Sequence, residues 1–171
     1  MKIFHVGDEL PKLGRFEGIF LAGPTPRTDE VVSWRREALT ILTELGYEGA
    51  VYVPETADWG WLGDYDGQVH WEWKALGMAA CTLFWVPRNL ENMPAFTTNV
   101  EFGFMLAMHP GRVVLGSPPG APKMRYLHKT ATDVWTFQQY LNPANAQKGT
   151  PLQGGSLRSC LILATTIAEE R

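Results

Sequence analysis

Gly18-Ile19-Phe20-Leu21-Ala22-Gly23-Pro24-Thr25-Pro26 is the stretch that decides the fold. Its first five residues are apolar, and a Gly-Pro-Thr-Pro turn stops them, the pattern of a buried strand that ends in a rigid loop. The period then changes. Val31, Trp34, Ala38, Ile41, Leu42 and Leu45 recur every three or four residues, opposite Arg35, Arg36, Glu37 and Glu44, and Gly46 follows as a stop. That spacing predicts an amphipathic helix.

Working outward, the alternation repeats. Residues 50–53 read as a second strand stopped by Pro54, followed by an aromatic, acidic loop to residue 67 and a helix over 68–80. Residues 82–86 form a third strand whose only polar residue is Thr82, as expected when both faces are covered. A helix over 96–108 and a strand over 112–116 follow, the latter closed by Ser117-Pro118-Pro119-Gly120. The result is an α/β chain: a parallel sheet of four to five strands with helices on both faces. Residues 133–140 and 156–170 look helical, on either side of a Pro/Gly-rich loop over 142–155. Residues 2–6 fit either an edge strand or an arm. No repeat or linker divides the chain, so a single domain over 1–171 is expected. Ligands of such sheets lie where loops leave the carboxyl ends of the strands. Those loops are residues 23–27, 54–66, 87–98 and 117–123.

Composition narrows the partners. The 171 residues include 15 Lys+Arg and 18 Asp+Glu, a net charge of −3, so there is no basic excess to neutralise a nucleic-acid polymer. Apolar runs are too short to span a bilayer and no leader is read at the start, so a soluble, cytoplasmic protein without a membrane partner is expected. Cys81 and Cys160 lie in apolar runs without metal-ligand spacing and read as reduced core thiols. Five of the seven Trp fall between Trp34 and Trp73. This is more aromatic surface than one core needs, and some of it can line a pocket.

Two carboxylates carry the candidate chemistry. Glu101 lies in Thr98-Asn99-Val100-Glu101-Phe102-Gly103, where Thr98-x-x-Glu101 also fits a capping box. In a partly dry cleft the same carboxylate is a nucleophile. Glu72, between Trp71 and Trp73, is either solvated or held protonated by low dielectric, as a general acid must be. The two helices flank the third strand, so the pair can face one small cleft, the arrangement of glycosidic-bond enzymes, N-glycosides included. Arg27, after Gly23 and Pro24, either binds an anion or caps its loop. Glycine-rich nucleotide fingerprints are absent. Asp58, Asp64 and Asp66 read as turn residues rather than metal ligands, and no nucleophile elbow frames a serine.

At Phe20-Leu21-Ala22-Gly23-Pro24, Trp71-Glu72, Phe84-Trp85 and Thr98-x-x-Glu101-x-Gly103, the chain resembles the nucleoside 2-deoxyribosyltransferase superfamily, over about residues 18–126. It looks closest to the branch described as nucleoside 2-deoxyribosyltransferase-like. The resemblance implies a flavodoxin-like (Rossmann-like) sheet and transfer of a 2-deoxyribosyl group between nucleobases, with Glu101 as nucleophile. Glu72 falls within a residue of the family's second acid. It further implies a nucleoside or nucleotide substrate, no metal or redox cofactor, and a homo-oligomer, with the Trp-rich loop and C-terminal tail as candidate contacts. Gly23, Pro24, Arg27, Trp71, Thr98 and Asn99 are the expected substrate-binding residues. One position departs: typical members carry an Asp six residues before the nucleophile, where this chain has Ala95, and Asn89, Glu91 or Asn92 are candidates to replace it. Related enzymes hydrolyse nucleoside 5′-monophosphates, which leaves hydrolysis as an alternative, with phosphate on the Arg27 or Ser117 loop. A non-catalytic nucleotide sensor is the other.

Overall fold

The computed structural model describes residues 1–12, 16–28, 30–141 and 153–170. Its elements are β1 (Lys2–His5), β2 (Ile19–Ala22), α1 (Trp34–Glu44), β3 (Ala50–Val53), α2 (Tyr65–Met78), β4 (Cys81–Trp85), α3 (Phe96–Met108), a 3-10 turn (Pro110–Arg112), β5 (Val113–Gly116), α4 (Arg125–Leu141), β6 (Gln153–Gly154) and α5 (Leu157–Glu169). The strands form one parallel sheet in the order β1-β3-β2-β4-β5-β6. Five strands carry it, as the apolar runs require, and the two-residue β6 extends one edge.

Residues 2–6 resolve to an edge strand: Lys2 to His5 pair in register with Ala50 to Val53. The helix foreseen over 133–140 starts earlier, at Arg125, because Thr and charged residues hide its apolar period. The Pro/Gly-rich stretch lies outside the described residues up to 152.

Strand burial explains the layering. Every residue of β2, β4 and β5 is buried, so their side chains alternate between two covered faces. Phe20, Ala22, Phe84 and Leu115 meet α2, α3 and α4 on one face. Ile19, Leu21, Cys81, Leu83 and Val114 meet α1 and α5 on the other. Setting β1 aside, the order β3-β2-β4-β5-β6 is the flavodoxin-like one. Its direction reverses at β2: α1 leads to β3 on one side, and α2 crosses to β4 on the other. Loops leaving β2 and β4 therefore diverge and open a crevice, which is where the site lies.

Candidate active site

The crevice is shaped first by Gly23. Its φ is +152°, and a Cβ there would run into the carbonyl oxygen of Trp85 and the Trp34 ring. Only glycine lets the end of β2 approach the end of β4 so closely. Pro24 is then pinned by Trp34, whose Nε1 donates to the Pro24 carbonyl at 3.2 Å.

Beneath this loop lies Arg35, which the helical period placed on the polar face of α1. It is instead completely buried. Its guanidinium donates to the carbonyls of Leu21 (2.8 Å) and Gly23 (2.6 Å), to Thr25 Oγ1 (3.1 Å) and to Glu55 Oε2 (3.1 Å). Glu55, also completely buried, accepts a second bond from Ser33 Oγ at 2.6 Å. The first turn of α1 sits on the carboxyl ends of β2 and β3, so a residue just off the apolar stripe meets unpaired backbone oxygens there rather than water. The sequence signal was Pro54-Glu55, an acid placed directly after a buried strand.

α2 supplies one candidate carboxylate. Gln68 and Glu72, four residues apart, share a helix face. Gln68 Nε2 donates to Glu72 Oε1 at 2.9 Å, and Gln68 Oε1 accepts from the Leu62 amide at 3.0 Å. The neighbouring indoles do not surround Glu72. Trp71 turns into the core and donates to the Asp8 carbonyl at 2.9 Å, whereas Trp73 lies on the outside, 45% exposed. Pocket walls, not flanking Trp residues, desolvate this acid.

α3 supplies the other. It begins at Phe96, with Ala95 at the N-cap in the left-handed region (φ 61°, ψ 37°) and no side-chain cap. Thr98 is thus already helical, which removes the capping-box reading and leaves Glu101 facing the crevice. Glu101, Glu72, Gln68, Thr98, Gly23, Pro24, Arg27, Arg35, Trp61 and Ala95 all line one pocket, about 810 Å³ with its mouth included. Trp71 and Asn99 are not among its walls: Trp71 is held in the core, and Asn99 Oδ1 accepts from Arg88 Nη2. Nor are Asn89, Glu91 and Asn92. Asn89 Oδ1 closes its own turn on the amides of Glu91 and Asn92, at 2.9 and 3.1 Å. Gln68 and Trp61 are pocket residues that motif reading did not single out.

The electrostatics follow from this packing. Burial pushes Glu101 up to about 8, with the charge of Glu72 adding to the shift and Arg35 opposing it. Burial also raises Glu72, countered by the Gln68 bond, by Arg35 and by a hydrogen bond with Glu101. Two carboxyls in one dry site share a proton rather than both ionising. Ser117 lies elsewhere, in a separate cavity with His128, whose Nε2 is 3.5 Å from Ser117 Oγ. Asp58 is engaged in a turn with Thr56. No group of three or more potential metal ligands occurs among the described residues, and no described helix is long and apolar enough to cross a membrane.

Topology and pocket together define a flavodoxin-like α/β protein with a paired-carboxylate site at the sheet's switch point. Residues 17–120 match the family described as nucleoside 2-deoxyribosyltransferase like, and the chain belongs to that family. The matched span contains all ten pocket residues named above. No curated protein matches the chain.

Proposed function

We propose that the protein breaks the N-glycosidic bond of a nucleoside or nucleotide through a covalent glycosyl-Glu101 intermediate. The observation that supports this reading is that Glu101 and Glu72, from two different helices, line one pocket together, where burial raises both carboxyls. One carboxylate and one carboxylic acid are the required pair. With the proton on Glu72, Glu101 is the nucleophile and Glu72 the acid.

In the first half-reaction a Glu101 oxygen bonds to the anomeric carbon as the bond from that carbon to the base nitrogen breaks. Glu72 gives its proton to the departing base and is left ionised. In the second, an acceptor base or water attacks the same carbon and loses its proton to Glu72, and Glu101 leaves as a carboxylate. These steps need no metal or redox group. Trp61, at the pocket wall and 59% exposed, offers a face for a nucleobase. Gly23, Pro24 and Thr98 shape the sugar end.

Hydrolysis of a nucleoside 5′-monophosphate is the second reading, and one observation favours it. Arg27 lines the pocket, in the loop ahead of α1, where a phosphate would find a full positive charge. The Ser117 loop does not reach that pocket. A panel of nucleosides and monophosphates assayed chromatographically for base release, with and without an acceptor base, tests both readings, with Glu101→Gln as control. Base release that Glu101→Gln abolishes is expected. Tight nucleoside binding with no base release would favour a sensor instead. The two buried cysteines suit a reducing, cytoplasmic setting.

A further inference from the structure

The crevice does not end at the pocket that holds the two carboxyls. A second cavity, about 830 Å³ with its mouth included, adjoins it, and Arg27 and Trp61 line both. That volume is within the range of small-molecule sites. Arg27 and Arg36, both exposed, bring two positive charges to the second cavity. No ion pair among the described residues engages either of them.

One wall of this cavity is held in an unfavourable backbone conformation. Trp59 has a φ of 69°, an angle that a bulky residue rarely takes. A closed turn imposes it: the Trp59 amide donates to the Thr56 carbonyl at 2.8 Å, and the Gly60 amide to Thr56 Oγ1 at 2.9 Å. His5 fixes the indole further, edge-on with ring centroids 5.8 Å apart, and the Arg36 guanidinium lies over it, 4.8 Å from the ring centroid. A stacked guanidinium keeps the N–H donors at its rim for an anion. Strained residues held this firmly gather at ligand clamps.

Another wall carries an unmet acceptor. Glu55 lines the same cavity and is completely buried. Its Oε2 accepts from Ser33 and Arg35, but its Oε1 has no hydrogen-bond partner among the described residues. Buried carboxylate oxygens are seldom left so. A hydroxyl or amino group of a ligand supplies what this oxygen lacks.

We propose that the second cavity receives the far half of a dinucleotide, two nucleosides joined through a 5′–5′ pyrophosphate, whose near half enters the Glu101 pocket. Each part of that far half has a counterpart. Arg27, common to both cavities, and Arg36 take the pyrophosphate. Glu55 Oε1 accepts from a ribose hydroxyl or a base amine, and Trp59, Trp61 and Val32, the last 69% exposed, cover the base. A mononucleotide leaves the second cavity unfilled. That such a dinucleotide is also the substrate rests on the reading of Glu101 and Glu72 given above; that it binds does not.

Calorimetric titration of the full chain carrying Glu101→Gln reads binding alone. The ligands are the symmetrical dinucleoside pyrophosphates of adenosine, guanosine, cytidine and thymidine, each compared with its own 5′-monophosphate. At least one dinucleotide should bind about tenfold tighter or more than its monophosphate, at one per chain. Arg36→Gln, and Trp59→Asn, which suits the left-handed angle, should each erase most of that gain and leave monophosphate affinity within about twofold. No gain for any dinucleotide, a gain that survives both variants, or two monophosphates bound per chain with no advantage from the link would overturn the inference. Base release by the native chain reports separately on Glu101: a dinucleotide gain without base release supports the second subsite and counts against the catalytic reading alone.

Discussion

Arg35 and Glu55 meet at 3.1 Å with both side chains 1% exposed, and on that buried ion pair rests the floor of the pocket. Removing one member of such a pair leaves the other charge stranded, which costs roughly 3–5 kcal/mol. The two members are not equivalent here. Arg35 holds two backbone carbonyls and Thr25 besides Glu55, whereas Glu55→Gln can still accept from Ser33 and Arg35. Urea unfolding should therefore show Arg35→Met losing more stability than Glu55→Gln.

Arg35 also opposes the raised pKa of both Glu101 and Glu72. Where Arg35→Met folds, the protonated pair should persist to higher pH than in the native chain. Carbon-13 titration of the Glu carboxyls would record that shift, and a purely structural role for Arg35 would not produce it.

Glu101 itself should make stability depend on pH. Its folded-state value, pushed up to about 8 from 4.5, means the native state binds more protons than the unfolded one between those values. Stability should fall as pH rises across that window. Glu101→Gln removes the cost and should be more stable than the native chain at pH 8, but not at pH 4. Thermal unfolding at the two pH values checks it.

How much of this was legible beforehand differs by element. Buried strands announced themselves, because Ile19 to Ala22 and Leu83 to Trp85 must be apolar on both faces, and prolines or Gly-Pro turns mark their exits. Glu101 and Glu72 were singled out through motif and order, and the two line one pocket. Arg35 was not, since periodicity sorts residues by face and cannot show that one face ends on unpaired carbonyls. Trp71 was misplaced for a related reason: neighbours along a helix point about 100° apart, so adjacency to Glu72 said nothing about contact. The 61° φ of Ala95 leaves no trace in an alanine.

That backbone angle gives a further prediction. Asp and Asn enter the left-handed region more readily than other residues with side chains, so Ala95→Asp should fold with stability within about 1 kcal/mol of the native chain. It would put a carboxyl in the pocket wall, six residues before Glu101. Base release from nucleosides should rise at least tenfold if that acid handles the leaving base, read by chromatography against Ala95→Ser.

Gly23→Ala offers a geometric check. The added Cβ meets the Trp85 carbonyl and takes a φ of +152°, and should cost roughly 2 kcal/mol or more. A loss of nucleoside binding larger than the loss of stability explains, measured by calorimetry on the folded fraction, would place the effect on the β2–β4 crevice.

The central claim is that Glu101 attacks an anomeric carbon, and trapping the adduct tests it most directly. A 2-fluoro-2-deoxynucleoside incubated with the protein, then digested and mapped by mass spectrometry, should leave one fluorosugar on the peptide carrying Glu101, with one equivalent of base released. Base release at the native rate by Glu101→Ala, or a sugar carried on any other residue, would contradict it.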